Sequence, residues 1–191
     1  MVKKLLFVAF CFSAVAQVNA AIVPFDLIGV AGPGLLPGNE PGSITGGTGG
    51  EIGVGITYDD VANLLNVNNV GWGSSQGFTD LGSLANNSHI HGPTASNNGN
   101  GFTETAGVLL NLTRSSNAVT GGTFTDAPIL LTALQETDLL NGKLYINIHT
   151  VNNGGGELRG FLVPVPVPEP SSFALLGLGA VGLFRIVRRR A

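Results

Sequence analysis

Three histidines, His89, His91 and His149, are the side chains of this 191-residue sequence best suited to chemistry. His89 and His91 flank Ile90 in the stretch SHIHGPT, and His149 ends the stretch KLYINIHT. Alternate side chains of an extended segment share a face, so His89 and His91 point one way and Ile90 the other. By the same parity Leu144, Ile146 and Ile148 make an apolar face, and Tyr145, Asn147 and His149 a polar one. All three imidazoles therefore avoid the apolar side. Three neutral nitrogens brought together from two strands can hold zinc or copper. Two other readings stay open at this point: the rings bond loop backbone beside the Gly92-Pro93 turn, or they form a contact surface for a partner.

Other chemistry finds less support. Glu157 and Arg159 alternate on one segment and are expected to form an exposed ion pair, worth well under ~1 kcal/mol. Asp59, Asp60, Asp126 and Asp138 lack calcium-loop spacing and read as solvated turns. The glycine-rich GGTGGEIGVG is followed by no helix, as a phosphate-binding loop would be. The expectation is a non-enzymatic binding or structural domain, with a copper- or zinc-binding protein or enzyme as the alternative.

The elements that must position the histidines are short alternating segments separated by Gly, Asn, Ser and Thr. This pattern predicts an all-β fold, a single antiparallel β-sandwich or barrel-like domain over residues 21–163. EIGVGITY is read as one strand with Ile52, Val54 and Ile56 on one face. GVLLNLT and GGTFT continue around a turn at Arg114–Thr120, and residues 33–50 form an irregular loop. KLYINIHT and ELRGFLV make a hairpin across the turn VNNGGG, with Leu158 and Leu162 on one face. One helix is expected at Ala133–Leu140, with Thr132 as its cap and Gly142 as its stop.

Both ends read as targeting segments. Residues 1–20 combine Lys3 and Lys4, an apolar run and a small-residue cleavage site after Ala20, a signal-peptide pattern for signal peptidase. Residues 164–170 form a proline-rich linker. Residues 171–191 read as a transmembrane helix with an arginine-rich tail that stays cytoplasmic, an inner-membrane anchor. Between these segments lie three basic residues, Arg114, Lys143 and Arg159, against twelve carboxylates, a net −9. That field repels phosphate backbones and excludes nucleic acid as a partner. The one cysteine, Cys11, lies in the signal segment, so the exported part has no disulfide and must be held by its core.

Pro168-Glu169-Pro170, a short apolar helix and terminal arginines resemble the PEP-CTERM sorting signal. The resemblance implies a Gram-negative envelope, recognition of Pro168, Glu169 and Pro170 by an exosortase-type processing enzyme, and transient anchoring before release to the cell surface or outside. The motifs HIHGP, GKLYINIHT and GGELRG resemble, in order and spacing, the chordin-type CHRD domain, with a weak echo of its glutamate- and proline-containing opening in GLLPGNEPG. The matching motif positions are His89, Ile90, His91, Gly92, Pro93, Tyr145, Asn147, His149, Thr150, Gly156, Glu157, Arg159 and Gly160. The resemblance implies an extracytoplasmic β-rich domain. The two sorting signals and the acidic field lead to the expectation of exopolysaccharide or surface proteins as partners, met by the histidine face. The histidine arrangement is also reminiscent of copper–zinc superoxide dismutase, without its fourth histidine or zinc-loop aspartate.

Overall fold

The computed structural model describes residues 22–116 and 119–166. The expected signal peptide, the Pro168-Glu169-Pro170 motif and the terminal helix lie outside the described residues. The strands in chain order are β1 (Ile22–Gly29), β2 (Gly32–Pro33), β3 (Gly49–Glu51), β4 (Ile56–Asp59), β5 (Leu64–Asn66) and β6 (Val70–Trp72). They continue with β7 (Ala85–His91), β8 (Val108–Asn111), β9 (Gly122–Thr123), β10 (Ile129–Leu130), β11 (Tyr145–Thr150) and β12 (Leu158–Pro164). The larger sheet runs β10-β5-β4-β1-β12-β11-β7-β8 with β2 beside β1, and the smaller runs β3-β6-β9. Every pairing is antiparallel.

The predicted parity holds where it matters most. Ile90 pairs with Ile146 across β7 and β11, and Leu158 with Ile148 across β11 and β12. These side chains are fully buried in one apolar cluster, which also takes Leu27, Ile56 and Leu162 from the larger sheet. Val70 and Trp72 of β6 join it from the smaller sheet, with the Trp72 ring 5.1 Å from that of Phe124. Both sheets thus share one core. Each fully buried aliphatic or aromatic side chain contributes about 1.5–3 kcal/mol, and no disulfide supplements them.

The helix forms at Ala133–Leu140 as expected. Thr132 accepts from the Gln135 backbone N–H while the Gln135 side chain accepts from the Thr132 N–H, a reciprocal capping box. Gly142 just beyond it has φ +65°. Three expectations fail. EIGVGITY is not one strand: its start pairs in the smaller sheet as β3 and its end in the larger as β4. Gly53 and Gly55 take φ +59° and +72°, and that left-handed turn throws Val54 out to 78 % exposure. GVLLNLT and GGTFT likewise enter different sheets, meeting through a bridge between Arg114 and Phe124 and a bond from the Thr125 N–H to the Thr113 carbonyl. Asp138, expected in a solvated turn, is buried on the helix.

Gly160 faces the core from β12, where a Cβ would lie 2.8 Å from the Gly34 carbonyl oxygen and 3.3 Å from the Leu27 side chain. Gly160→Val is expected to destabilise the protein by about 1–3 kcal/mol. A urea unfolding midpoint lowered at unchanged slope would show it; an unchanged midpoint would contradict the packing described.

Candidate metal centre

The second face of the β7-β11-β12 ribbon carries His91 opposite Tyr145, His89 opposite Asn147, and Arg159 and Phe161 opposite Asn147 and Tyr145. His149 stands two residues beyond Asn147. This polar face is covered. His89, His91 and His149 keep only 7, 8 and 9 % exposure, although none belongs to the aliphatic cluster. A roof of loop 94–107 and the segment around Asn39 and Glu40 lies over the ribbon's polar side.

The roof is fastened by hydrogen bonds rather than by aliphatic packing. The Ala106 N–H donates to the Tyr145 hydroxyl at 2.9 Å, and that hydroxyl donates to the Ala106 carbonyl at 3.1 Å. The Arg159 guanidinium donates to the Glu104 carbonyl. Asn39 donates through Nδ2 to the carbonyls of Gly34 and Arg159 and accepts from the Ala31 N–H. Within the roof, Asn98, Gly99, Asn100, Gly101 and Phe102 all have positive φ, forming one left-handed turn. Such geometry costs a non-glycine residue roughly 1–2 kcal/mol. It sets the Phe102 ring 5.5 Å from that of Phe161. The Gly92-Pro93 bond at the roof's start is cis.

Under this roof the imidazoles converge. Their centroids are 4.9 Å apart for His89–His149, 5.5 Å for His89–His91 and 5.6 Å for His91–His149. One nitrogen from each ring lies within 4.8 Å of the other two. His91 Nδ1 is 2.9 Å from the Ala106 carbonyl oxygen, and His149 Nδ1 is 2.9 Å from that of Gly154. A carbonyl only accepts, so Nδ1 carries the proton in both rings, and in the neutral ring Nε2 keeps its lone pair. His91 Nε2 is buried without a partner. His149 Nε2 lies 3.0 Å from His89 Nδ1. Either a proton bridges that pair or both lone pairs turn toward one cation. At metal–nitrogen bonds of ~2.05 Å, two donors this far apart subtend about 94° at the ion, and the widest pair must close to at most about 4 Å. Rings whose second nitrogen donates to a backbone carbonyl are oriented as metal-ligating histidines usually are.

Electrostatics favour neutral rings. Burial, then the His149 and His91 rings and Arg114, lowers the His89 pKa from 6.5 to about 4. Burial also lowers that of His91, opposed by its bond to Ala106.

The other motif positions hold the surrounding loops and rings. Glu157 and Arg159 do not form the exposed pair expected of them: they are 0 and 1 % exposed and turn to different partners. The Glu157 carboxylate accepts from the N–H groups of Gly47 and Gly82, the Thr150 hydroxyl and the Asn153 amide, fastening two loops to the β11–β12 turn. Gly46 must lack a side chain because a Cβ would strike that carboxylate. The Arg159 guanidinium lies 4.2 Å from the Tyr145 centroid and 4.8 Å from that of Phe161. Asn147 donates to the Gly155 carbonyl. A Cβ at Gly92, whose φ is +152°, would meet Leu144. The residue missed by sequence reasoning is Glu40, buried at the roof's edge. Its pKa is raised to about 7 by burial, against the attraction of Arg159. The signal that could have found it was the glutamate–proline pair in GLLPGNEPG.

The CHRD domain family matches residues 36–162, and the PEP-CTERM protein-sorting motif matches residues 166–190. No curated protein and no solved structure matches the chain. Among the described residues no helix is long and apolar enough to cross a membrane. The sorting motif makes this an exported, exosortase-processed protein directed to the surface or the outside.

A depressed pKa fixes the sign of one pH effect. The fold favours neutral His89, so its stabilising contribution is complete above pH 6.5 and is lost as pH falls through about 4. With chelator present, the urea midpoint of the wild type should drop over that window by more than that of His89→Gln, whose side chain does not titrate. Parallel pH profiles for the two proteins would refute the buried neutral ring.

Proposed function

The chain belongs to the CHRD-domain family, and from that premise we propose that its domain is an extracytoplasmic metal-binding module, holding one zinc or copper ion on His89, His91 and His149. The observation that carries this reading is the convergence of three buried imidazoles, two of them oriented by Nδ1–H bonds to carbonyls and one with an unpartnered Nε2. An unpaired buried acceptor costs about 1–3 kcal/mol, which an ion removes. Neutral imidazole suits zinc and copper among the divalent metals. The role is binding, with the ion reached through the cleft beside His91. Polysaccharide or a surface protein cannot lie on rings so little exposed, so the histidines serve an ion better than a polymer.

Delivery follows the sorting motif. In this reading residues 1–20 are removed by signal peptidase, residues 171–191 hold the precursor in the inner membrane, and the exosortase-type enzyme recognises Pro168, Glu169 and Pro170. The domain then works at the cell surface or in the extracellular matrix.

Elemental analysis of the processed protein, purified from cells grown with zinc and copper, should find one equivalent of metal. His91→Ala should lower affinity at least tenfold, and the triple alanine variant should retain none. Wild-type protein that stays metal-free after dialysis against either ion removes the proposal. Separately, replacing Pro168-Glu169-Pro170 by alanines should leave full-length precursor in the inner-membrane fraction. Unchanged processing of that variant would rule out the assigned recognition element.

A further inference from the structure

Beside the histidines lies a cleft of about 310 Å³, walled by Glu40, Pro41, Ile44, His91, Tyr145 and Asn147 among others. A second cavity of about 290 Å³, on the other side of Glu40 and Pro41, is lined by Arg159, Phe102 and Asn39. The first has the volume of a small-ligand site. Its polar walls are unusual for a protein interior. Glu40 Oε1 and Asn147 Oδ1 are both buried without any hydrogen-bond partner, in side chains 9 and 3 % exposed. Buried acceptors are normally paired, and exceptions call for a missing partner. In the metal reading, on which this step rests only here, the ion satisfies His91 Nε2. The two oxygens remain.

Asn147 Oδ1 only accepts, while the Glu40 carboxyl, its pKa raised to about 7 by burial, accepts when ionised and can also donate when protonated, so a hydroxyl, which does both, is the partner that fits. Charge narrows its class further. A carboxyl and a guanidinium border the same region, each acting on the other: Arg159 lowers the Glu40 pKa and Glu40 raises that of Arg159. Their opposed fields leave little preference for an anion or a cation. Pro41 and Ile44 supply apolar contact. Both faces of the Tyr145 ring are already taken, one by His91, stacked at 5.0 Å and 14°, and one by the Arg159 guanidinium. Flat stacking of a ligand on that ring is therefore excluded, and hydrogen bonds must orient it. We propose that this cleft binds a small uncharged hydroxyl-bearing molecule, a polyol or a terminal sugar unit, whose hydroxyls pair with Glu40 Oε1 and Asn147 Oδ1 beside the metal site.

The test is an NMR titration of the isotopically labelled processed protein, metal-loaded and metal-free, with glycerol, inositol and glucose in one arm and ethylamine and acetate in the other. The neutral arm should give saturable shifts at the Asn147 side-chain amide and the Tyr145 ring, in at least one metal state. Glu40→Leu, and Ile44→Trp, which fills the cleft, should each weaken that binding at least tenfold while metal stoichiometry stays at wild-type level. Absence of saturable shifts from all three neutral probes, binding confined to ethylamine or acetate, or neutral binding unchanged in both variants overturns the proposal. A protein that takes these probes but no metal would retain the cleft and remove the metal reading; one that takes metal but no probe would do the reverse.

Discussion

Strand β11 is buried along its whole length on both faces, and much of the architecture follows from the need to cover the second one. The first face is simple. Ile146 and Ile148 enter an aliphatic cluster whose attraction is proportional to area and indifferent to direction. The second face carries Tyr145, Asn147 and His149, and burying those groups costs free energy unless each finds a partner. A roof over such a face cannot be generic. Its peptide groups must meet particular atoms, as the Ala106 N–H and carbonyl meet Tyr145 and His91, and the Glu104 carbonyl meets Arg159. The left-handed turn at Asn98–Phe102 is tolerable because it brings the roof to those partners.

The two buried charges near β12 show two ways of meeting the same cost. Glu157 is held by four donors from three stretches of chain and acts as a clasp between loops. Arg159 has a carbonyl and two aromatic faces instead, where ring quadrupoles stabilise a cation that cannot shed its proton. The first solution is saturated. The second leaves Arg159 Nε, and nearby Glu40 Oε1 and Asn147 Oδ1, without partners. Protein interiors that follow the rules of polar pairing nearly everywhere tend to break them at functional sites. Here His91 Nε2, Glu40 Oε1 and Asn147 Oδ1 border one cleft beside three imidazoles, while Trp72 Nε1 is a separate case in the core.

Pleat parity was legible in the sequence, and with it the antiparallel β architecture, the hairpin of β11 and β12, and the placing of Ile90 and Ile146 opposite the histidines. The capping box at Thr132 and Gln135 was also local, and its helix appears where expected. What sequence could not supply was the cover. A polar residue on the non-apolar face of a strand is ordinarily solvated, and only contacts some 55 residues apart, such as Arg159 with Glu104, reveal otherwise. The same blindness made Glu157 and Arg159 look like an exposed pair. EIGVGITY failed for a different reason: its alternation was real, but Gly53 and Gly55 permit a left-handed turn that parity does not register.

The proposed metal centre and the proposed ligand cleft share walls, which would couple them in a definite sense. His91 is at once a candidate ligand and part of the cleft lining, and its Nδ1 proton rests on Ala106, another lining residue. His149 rests through Nδ1 on the Gly154 carbonyl, next to Gly155, which also borders the cleft. Drawing the three donor nitrogens onto one ion therefore pulls on both loops that shape the cavity. A molecule seated there in turn restricts the motion of His91. If each event favours the same arrangement of loops, each strengthens the other by the same factor, because binding free energies are reciprocal. Such coupling needs no catalytic group. It suits a domain that must hold its shape outside the cell without a disulfide, where an ion and a small molecule can finish the polar pairing that the chain itself leaves incomplete.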